Sequence, residues 1–322
     1  MSAHQQELER LLSAMRPALH RYCARMVGST IDAEDIVQDA FLKGATAWCN
    51  AGLTNPEGWL FRIAHNTALD FLRQRRRAPV IEDLETMEMI AASAELDPLA
   101  ASLSIRTFMR LPPLQRSAVV MKDVLGHSVD EVAEVNGVSA AAAKSALQRG
   151  RTALLSFANE PDNIEQPMLT REMRDRLAAY VDGFQSGDFD AVRAMLAEDV
   201  RLDLVSKLTR RGKSMVGEYY GRYAACEQWI FGAGVVEGRP AMLVYDREVS
   251  LDEPAYFIAL SFDEERVVAI HDFLFARYAI EGVRMQRLDD RPQGNIRGNV
   301  QRPARLSPDV RDETRSKVRG DK

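Results

Sequence analysis

The sequence predicts a multidomain chain in which all-α domains come first and an α+β domain follows. Three observations carry this reading. Apolar residues recur at helical spacing through about 7–76 and again from about Pro98 to Phe157. The segment Asn159–Pro167 (NEPDNIEQP) is polar, holds two prolines and reads as a domain boundary. Beyond it, helical stretches near 170–185 and 188–197 precede strand-like runs at 200–206, 241–246, 255–262 and 266–278.

The first helices are legible in order. Ile36, Val37, Ala40 and Phe41 form a stripe, and Asp32, Glu34 and Asp35 open that helix where its dipole favours acids. Gly52 to Gly58, with Pro56 between them, is a turn. The next helix starts at Pro56 or Glu57 and runs to about Arg76. On its wheel Leu60, Ile63, Ala64, Thr67 and Phe71 share one side, and Trp59, Arg62, Asn66, Asp70 and Arg73 share the neighbouring one. A tryptophan beside arginine and asparagine suits stacking on an unpaired base, and Arg73, Arg75, Arg76 and Arg77 extend that surface toward phosphate.

Residues 78–100 carry six acids and no base, and read as a linker. Leu111-Pro112-Pro113 punctuates the helices that follow. Ser128–Val135, Asn136-Gly137-Val138 and Ser139–Leu155 form a helix-turn-helix pattern, with Gly137 suited to a positive φ and Ser139 to a cap. Lys144, Ser145, Gln148, Arg149 and Arg151 fall on or beside the outward side of its second helix. No acid occurs between Glu134 and Glu160, as a major-groove reader requires.

Composition excludes other classes. Of 322 residues, 46% are hydrophobic and 28% charged, too apolar for bulk disorder. No apolar run approaches the roughly 18–20 residues of a membrane helix. The polar N-terminus lacks a signal peptide's apolar core, so the expected location is the cytoplasm. Cys23, Cys49 and Cys226 are far apart, which argues against a disulfide framework or a cysteine-rich zinc site. No metal, cofactor or membrane partner is expected. Residues 284–322 read as a disordered basic tail.

Residues 32–46 (DAEDIVQDAFLKGAT) resemble the polymerase-binding helix of extracytoplasmic-function (ECF) sigma factors. Residues 56–77 (PEGWLFRIAHNTALDFLRQRRR) resemble their promoter-melting helix, and residues 111–154, with LPPLQR and KSALQRGR, their −35-reading domain. The resemblance implies domains at 1–77 and 101–160, core RNA polymerase (β′ clamp and β flap) and promoter DNA as partners, and roles by position. Asp35, Gln38 and Asp39 would face the β′ clamp. Asn50, Asn55, Trp59, Arg62, Asn66 and the arginines 73 and 75–77 would hold the opened −10 strand. Ser139, Lys144, Ser145, Gln148, Arg149 and Arg151 would meet the −35 element. Gly150 departs from the family's usual alanine, at a helix-propensity cost of up to ~1 kcal/mol.

Residues 168–283, joined by a linker at 161–167, resemble the SnoaL-like α+β cone through Tyr180–Asp199, Val200–Leu204 and Val267–Tyr278. The resemblance implies a fused modulator that docks on the sigma domains or on polymerase. Asp203, Trp229 and His271 are the candidate pocket residues for a small-molecule ligand, and no catalytic residue is assigned. Two alternatives stand beside this reading: a helix-turn-helix regulator acting without polymerase, and a fused isomerase or cyclase. Residues 1–157 hold 17 basic and 18 acidic residues, which argues for dependence on polymerase.

Overall fold

The computed structural model describes residues 3–48, 55–77, 104–158, 168–224, 228–280 and 283–288. Asn50, the 78–100 linker and the 161–167 linker lie outside them, as do the side chains of Arg76 and Arg77.

Helices α1 (Ala3–Val27), α2 (Thr30–Trp48) and α3 (Pro56–Arg77) pack together. Gly28 turns the chain between α1 and α2 at φ 77°, and the Ser29 hydroxyl accepts from the Asp32 amide. Asn55 caps α3, its Oδ1 accepting from the Gly58 amide at 2.9 Å. The second helical group is α4 (Ile105–Phe108), α5 (Pro113–Val119) running into a π-turn (Val120–Val124), α6 (Val129–Asn136) and α7 (Ala140–Ala158). Ser128 and Glu131 form a reciprocal capping box on α6, and Gly137 ends it at φ 66°.

One apolar core runs through both groups, from Leu19 and Phe61 to Phe108, Val119 and Leu154. The Tyr22 hydroxyl sits between His65 Nδ1 (2.7 Å) and Ser117 Oγ (2.8 Å), so α1, α3 and α5 share a buried polar contact. Arg116, from the LPPLQR segment, is buried and donates to the carbonyls of Met26, Met109 and Leu111. Gly150 is explained by packing rather than tolerated as a propensity cost. A Cβ there would stand 2.7 Å from Val119 Cγ2 and 3.1 Å from the Gln115 carbonyl, because α7 crosses α5 closely.

The C-terminal domain opens with α8 (Arg171–Ser186) and α9 (Phe189–Ala194), capped by Thr170 and Asp188. Then come β1 (Leu196–Leu204), β2 (Leu208–Arg211), α10 (Lys213–Ala224), β3 (Trp229–Val236), β4 (Arg239–Asp246), β5 (Tyr256–Asp263), β6 (Arg266–Asp272), a 3-10 turn (Arg277–Ala279) and β7 (Met285–Arg287). The seven strands form one mixed sheet in the order β2-β1-β6-β5-β4-β3-β7, with β1 and β6 parallel and every other pair antiparallel. This is the expected α+β domain, with corrections. The last predicted strand ends at Asp272, whose Oδ1 accepts from the Leu274 amide and turns the chain. The predicted tail starts too early, because Met285–Arg287 pairs with β3. Strands β2, β3 and β7 and helix α10 were not predicted.

The sheet has two covered faces. Helices α8, α9 and α10 close one over Tyr180, Phe184, Tyr220, Met242 and Ile258. The other holds Val205, Val236, Leu243, Phe257 and Phe273, and Ile31 of α2 is buried among them. The C-terminal domain is therefore seated on the start of α2. Among the described residues no helix is long and apolar enough to cross a membrane.

Candidate functional site

Four groups of predicted site residues can be placed. The first is on α3. Arg62 and Asn66 are exposed beside Trp59, which is half-buried against Trp48 with ring centroids 6.2 Å apart. Asn55 spends its side-chain oxygen on the α3 cap. Arg73 pairs with the exposed Asp70 at 2.9 Å, and the Arg75 guanidinium lies 3.9 Å from Asp32.

The second group is on α7. Ser139 caps it, its Oγ accepting from the Ala142 amide at 3.2 Å. Lys144, Ser145, Gln148 and Arg149 are exposed along one side, while Ala143, Ala146, Leu147 and Leu154 are buried on the other. Arg151 departs from the expected role. Its guanidinium makes a two-pronged contact to Asp123, Nε to Oδ2 at 2.9 Å and Nη2 to Oδ1 at 2.5 Å. The Asp123 carboxylate is almost fully buried, so Arg151 neutralises a core charge instead of facing outward.

The third group is on α2, and here the sequence reading missed the main feature. Asp39 and Leu42 are exposed, but Asp35 and Gln38 meet the C-terminal domain. His271 Nε2 lies 3.6 Å from Asp35, and Arg201 Nη2 donates to Gln38 Oε1 at 3.4 Å. One turn earlier Arg239 pairs with Asp32 at 2.5 Å, and Glu237 Oε1 accepts from the Thr30 amide at 2.7 Å. Glu34 is buried, with Oε1 held by Arg16. Burial lifts its pKa to about 7 even though Arg16 opposes the rise. Desolvation of the half-buried Asp35 would raise its pKa, yet the neighbouring His271, with Arg201 and Arg239, outweighs it and holds the pKa below the ordinary value.

The candidate pocket residues separate. Asp203 and His271 are register partners on β1 and β6, with Asp203 Oδ2 3.6 Å from His271 Nε2. Both face α2, not the interior of the sheet. Trp229 packs edge-on against Tyr256 on the opposite face, with centroids 5.3 Å apart. Asp272, adjacent to His271, points the other way and accepts from the hydroxyls of Tyr219 (2.9 Å) and Tyr223 (2.5 Å). Burial raises the Asp272 pKa despite those bonds. Tyr180, Tyr220, Tyr223, Phe189 and Phe231 crowd around Phe184 and fill the space between helices and sheet.

Comparison with known proteins follows this division. Residues 11–78 match the Sigma-70 region 2 family model and residues 105–154 the Sigma-70, region 4 model. The ECF RNA polymerase sigma factor SigM of Mycobacterium tuberculosis is 34% identical over 157 residues, spanning 46% of this chain and 76% of that protein. The chain belongs to the ECF sigma factors. SigG of the same organism, also an ECF RNA polymerase sigma factor, is 27% identical over 317 residues, 85% of this chain and 80% of its own. The crystal structure of M. tuberculosis SigJ covers 81% of this chain and 94% of that one, at 23% identity and a TM-score of 0.33. This ECF sigma factor binds core RNA polymerase and directs promoter-specific initiation, and its sigma domains are followed by the α+β domain described above.

Proposed function

We propose that this sigma factor is held closed by its own C-terminal domain, which occupies the polymerase-facing side of α2. The observation that carries the reading is the set of four polar contacts on Thr30, Asp32, Asp35 and Gln38. Two of those residues are assigned to the β′ clamp. A protein surface cannot serve two partners at once, so polymerase must displace the domain before α2 can dock. The polar contacts surround Ile31, which is buried among the domain's apolar residues at about 1.5–3 kcal/mol, so polymerase has to replace that burial as well as the pairs.

Once α2 is free, the remaining roles follow from position. Trp59, Arg62 and Asn66 capture the unpaired −10 strand, and base stacking at ~1–3 kcal/mol per base offsets local unstacking. Lys144, Ser145, Gln148 and Arg149 read the −35 duplex while the β flap holds the domain. The chain itself makes and breaks no bonds; catalysis belongs to polymerase, and the work is done in the cytoplasm.

The test is in vitro transcription and core-polymerase binding, comparing the full chain, Arg239→Glu and a truncation after about Pro161. Arg239→Glu sets like charge against Asp32. Both altered forms should bind core polymerase at least fivefold more tightly than the full chain. Unchanged affinity of a folded Arg239→Glu protein would discard the capping role and leave the sigma assignment standing.

A further inference from the structure

Where the C-terminal domain meets α1 and α2 there is a cavity of about 310 Å³. Arg16, Glu34 and Gln38 form its helical wall, the turn from Asp203 to Thr209 forms the opposite wall, and His271 closes the side. The volume is at the small end of the range for small-molecule sites. Two of the wall's cations make contacts of their own. Arg16 binds Glu34 and lies over the Phe41 ring at 4.8 Å, and Lys207 Nζ lies over the Phe275 ring at 5.1 Å.

The two carboxylates are less well provided. Asp203 Oδ1 accepts from the Thr209 hydroxyl at 2.7 Å, while Oδ2 is ion-paired with Arg201 Nε at 2.6 Å and lies 3.6 Å from His271 Nε2, in neither case with a well-aligned hydrogen bond. Glu34 Oε2 has no hydrogen-bond partner either. Both residues are only 5% exposed. A buried carboxylate oxygen without a donor costs free energy, and a ligand N–H that reaches it recovers that cost.

We propose that this cavity binds a small organic cation bearing N–H donors, of the diamine or guanidinium class, and that the bound cation locks the closed form. The sign of the effect rests on the capping role above. The site takes its walls from two domains that part when polymerase takes α2, so it exists only in the closed form. A ligand that binds only one state shifts the equilibrium toward it by RT ln(1 + [L]/Kd). The cation is therefore a negative effector.

The experiment is calorimetric titration of the full-length protein with putrescine and agmatine at pH 8, above the Glu34 pKa of about 7 so that this carboxyl is ionised, at constant ionic strength. The uncharged 1,4-butanediol serves as the length-matched control. At least one cation should bind ten times or more tighter than the diol. Glu34→Gln and Asp203→Asn should each weaken it tenfold or more, and Asp263→Asn, on the exposed end of β5, should not. Gln38→Lys, which tethers a cation at the cavity rim, should also block binding; it keeps the test valid if a buried-carboxylate variant does not fold. Saturating cation should lower the full chain's affinity for core polymerase, and it should have no such effect on the Asp203→Asn protein.

Equal binding of cation and diol, or cation binding untouched by all three cavity variants, overturns the site. Binding without any loss of polymerase affinity overturns the lock. If Arg239→Glu tightens polymerase binding while neither cation binds, the cavity proposal alone falls. If Arg239→Glu changes nothing, the capping role falls instead, whatever the cations do.

Discussion

At Glu34, one carboxylate couples pH to stability. Burial sets its pKa at about 7 in the folded chain against an ordinary 4.5. Between those values the folded state holds a proton that the unfolded state has released. Stability from this group is complete below about pH 4.5 and is lost as pH rises through 7, by up to about 3 kcal/mol. His20 and His65 act in the opposite sense. Burial lowers both to about 4 from 6.5, so their contribution is present above 6.5 and is lost as pH falls toward 4. Subtracting the Glu34→Gln urea-unfolding profile from that of the unaltered chain should isolate a descending limb between pH 5 and 7. A flat difference would show that Glu34 is ionised in the fold. Gly150 offers a second residue-scale prediction. Gly→Ala in a helix usually stabilises, but here the added Cβ meets Val119 and the Gln115 carbonyl. The variant should lose ~1–3 kcal/mol in urea denaturation, and a gain would mean that α5 and α7 can move apart freely.

Elements differ in how much of themselves they announce. Helix α7 was readable in outline because its cap, its turn glycine and its period are local signals. Its face was assigned almost fully, and Arg151 was the exception. Nothing near Arg151 in sequence shows that Asp123, in the π-turn, has its carboxylate buried beneath it. The two arginines should separate cleanly by experiment. Arg149→Ala should cut −35-dependent initiation by about tenfold with little change in unfolding, as expected for one lost base or phosphate contact. Arg151→Ala should instead destabilise the fold by ~3 kcal/mol, since Asp123 would be left charged and unpaired. Matching losses of stability for both variants would contradict that division. The strands missed by sequence have physical excuses too. In β3 (WIFGAGVV) residues 232–236 are all buried, so no polar alternation marks it, and two glycines weaken its strand signature. Helix α10 carries Gly217 and Gly221 with three tyrosines, a poor helix former whose apolar face is made by the sheet. Gly217 is where the Arg193 side chain crosses close to the backbone.

On the scale of the whole molecule, the two DNA-reading groups and the C-terminal domain are packed rather than strung out. Arg116 links the end of α1 to the α4–α5 connection by filling three carbonyls at once. Arg116→Ala should cost ~2–4 kcal/mol and lower the midpoint of thermal unfolding by several degrees. A neutral result would mean that water replaces the guanidinium at those carbonyls. Arg116→Lys should restore little, because a single ammonium cannot reach all three acceptors in the guanidinium's fixed fork.

By itself the sequence determined the family, the order of helical segments before sheet, and the helical period and most of the exposed polar sides of α3 and α7. Helical period, caps and turns are set by neighbours a few residues apart, and a charged face needs only one helix to define it. Only the tertiary structure decided that α2 is covered, that Asp203 and His271 face it rather than the sheet's interior, and that Arg151 serves the core. Each of those facts depends on pairs such as Asp32 and Arg239, which are some two hundred residues apart, and no local pattern encodes which distant carboxylate a given arginine will find.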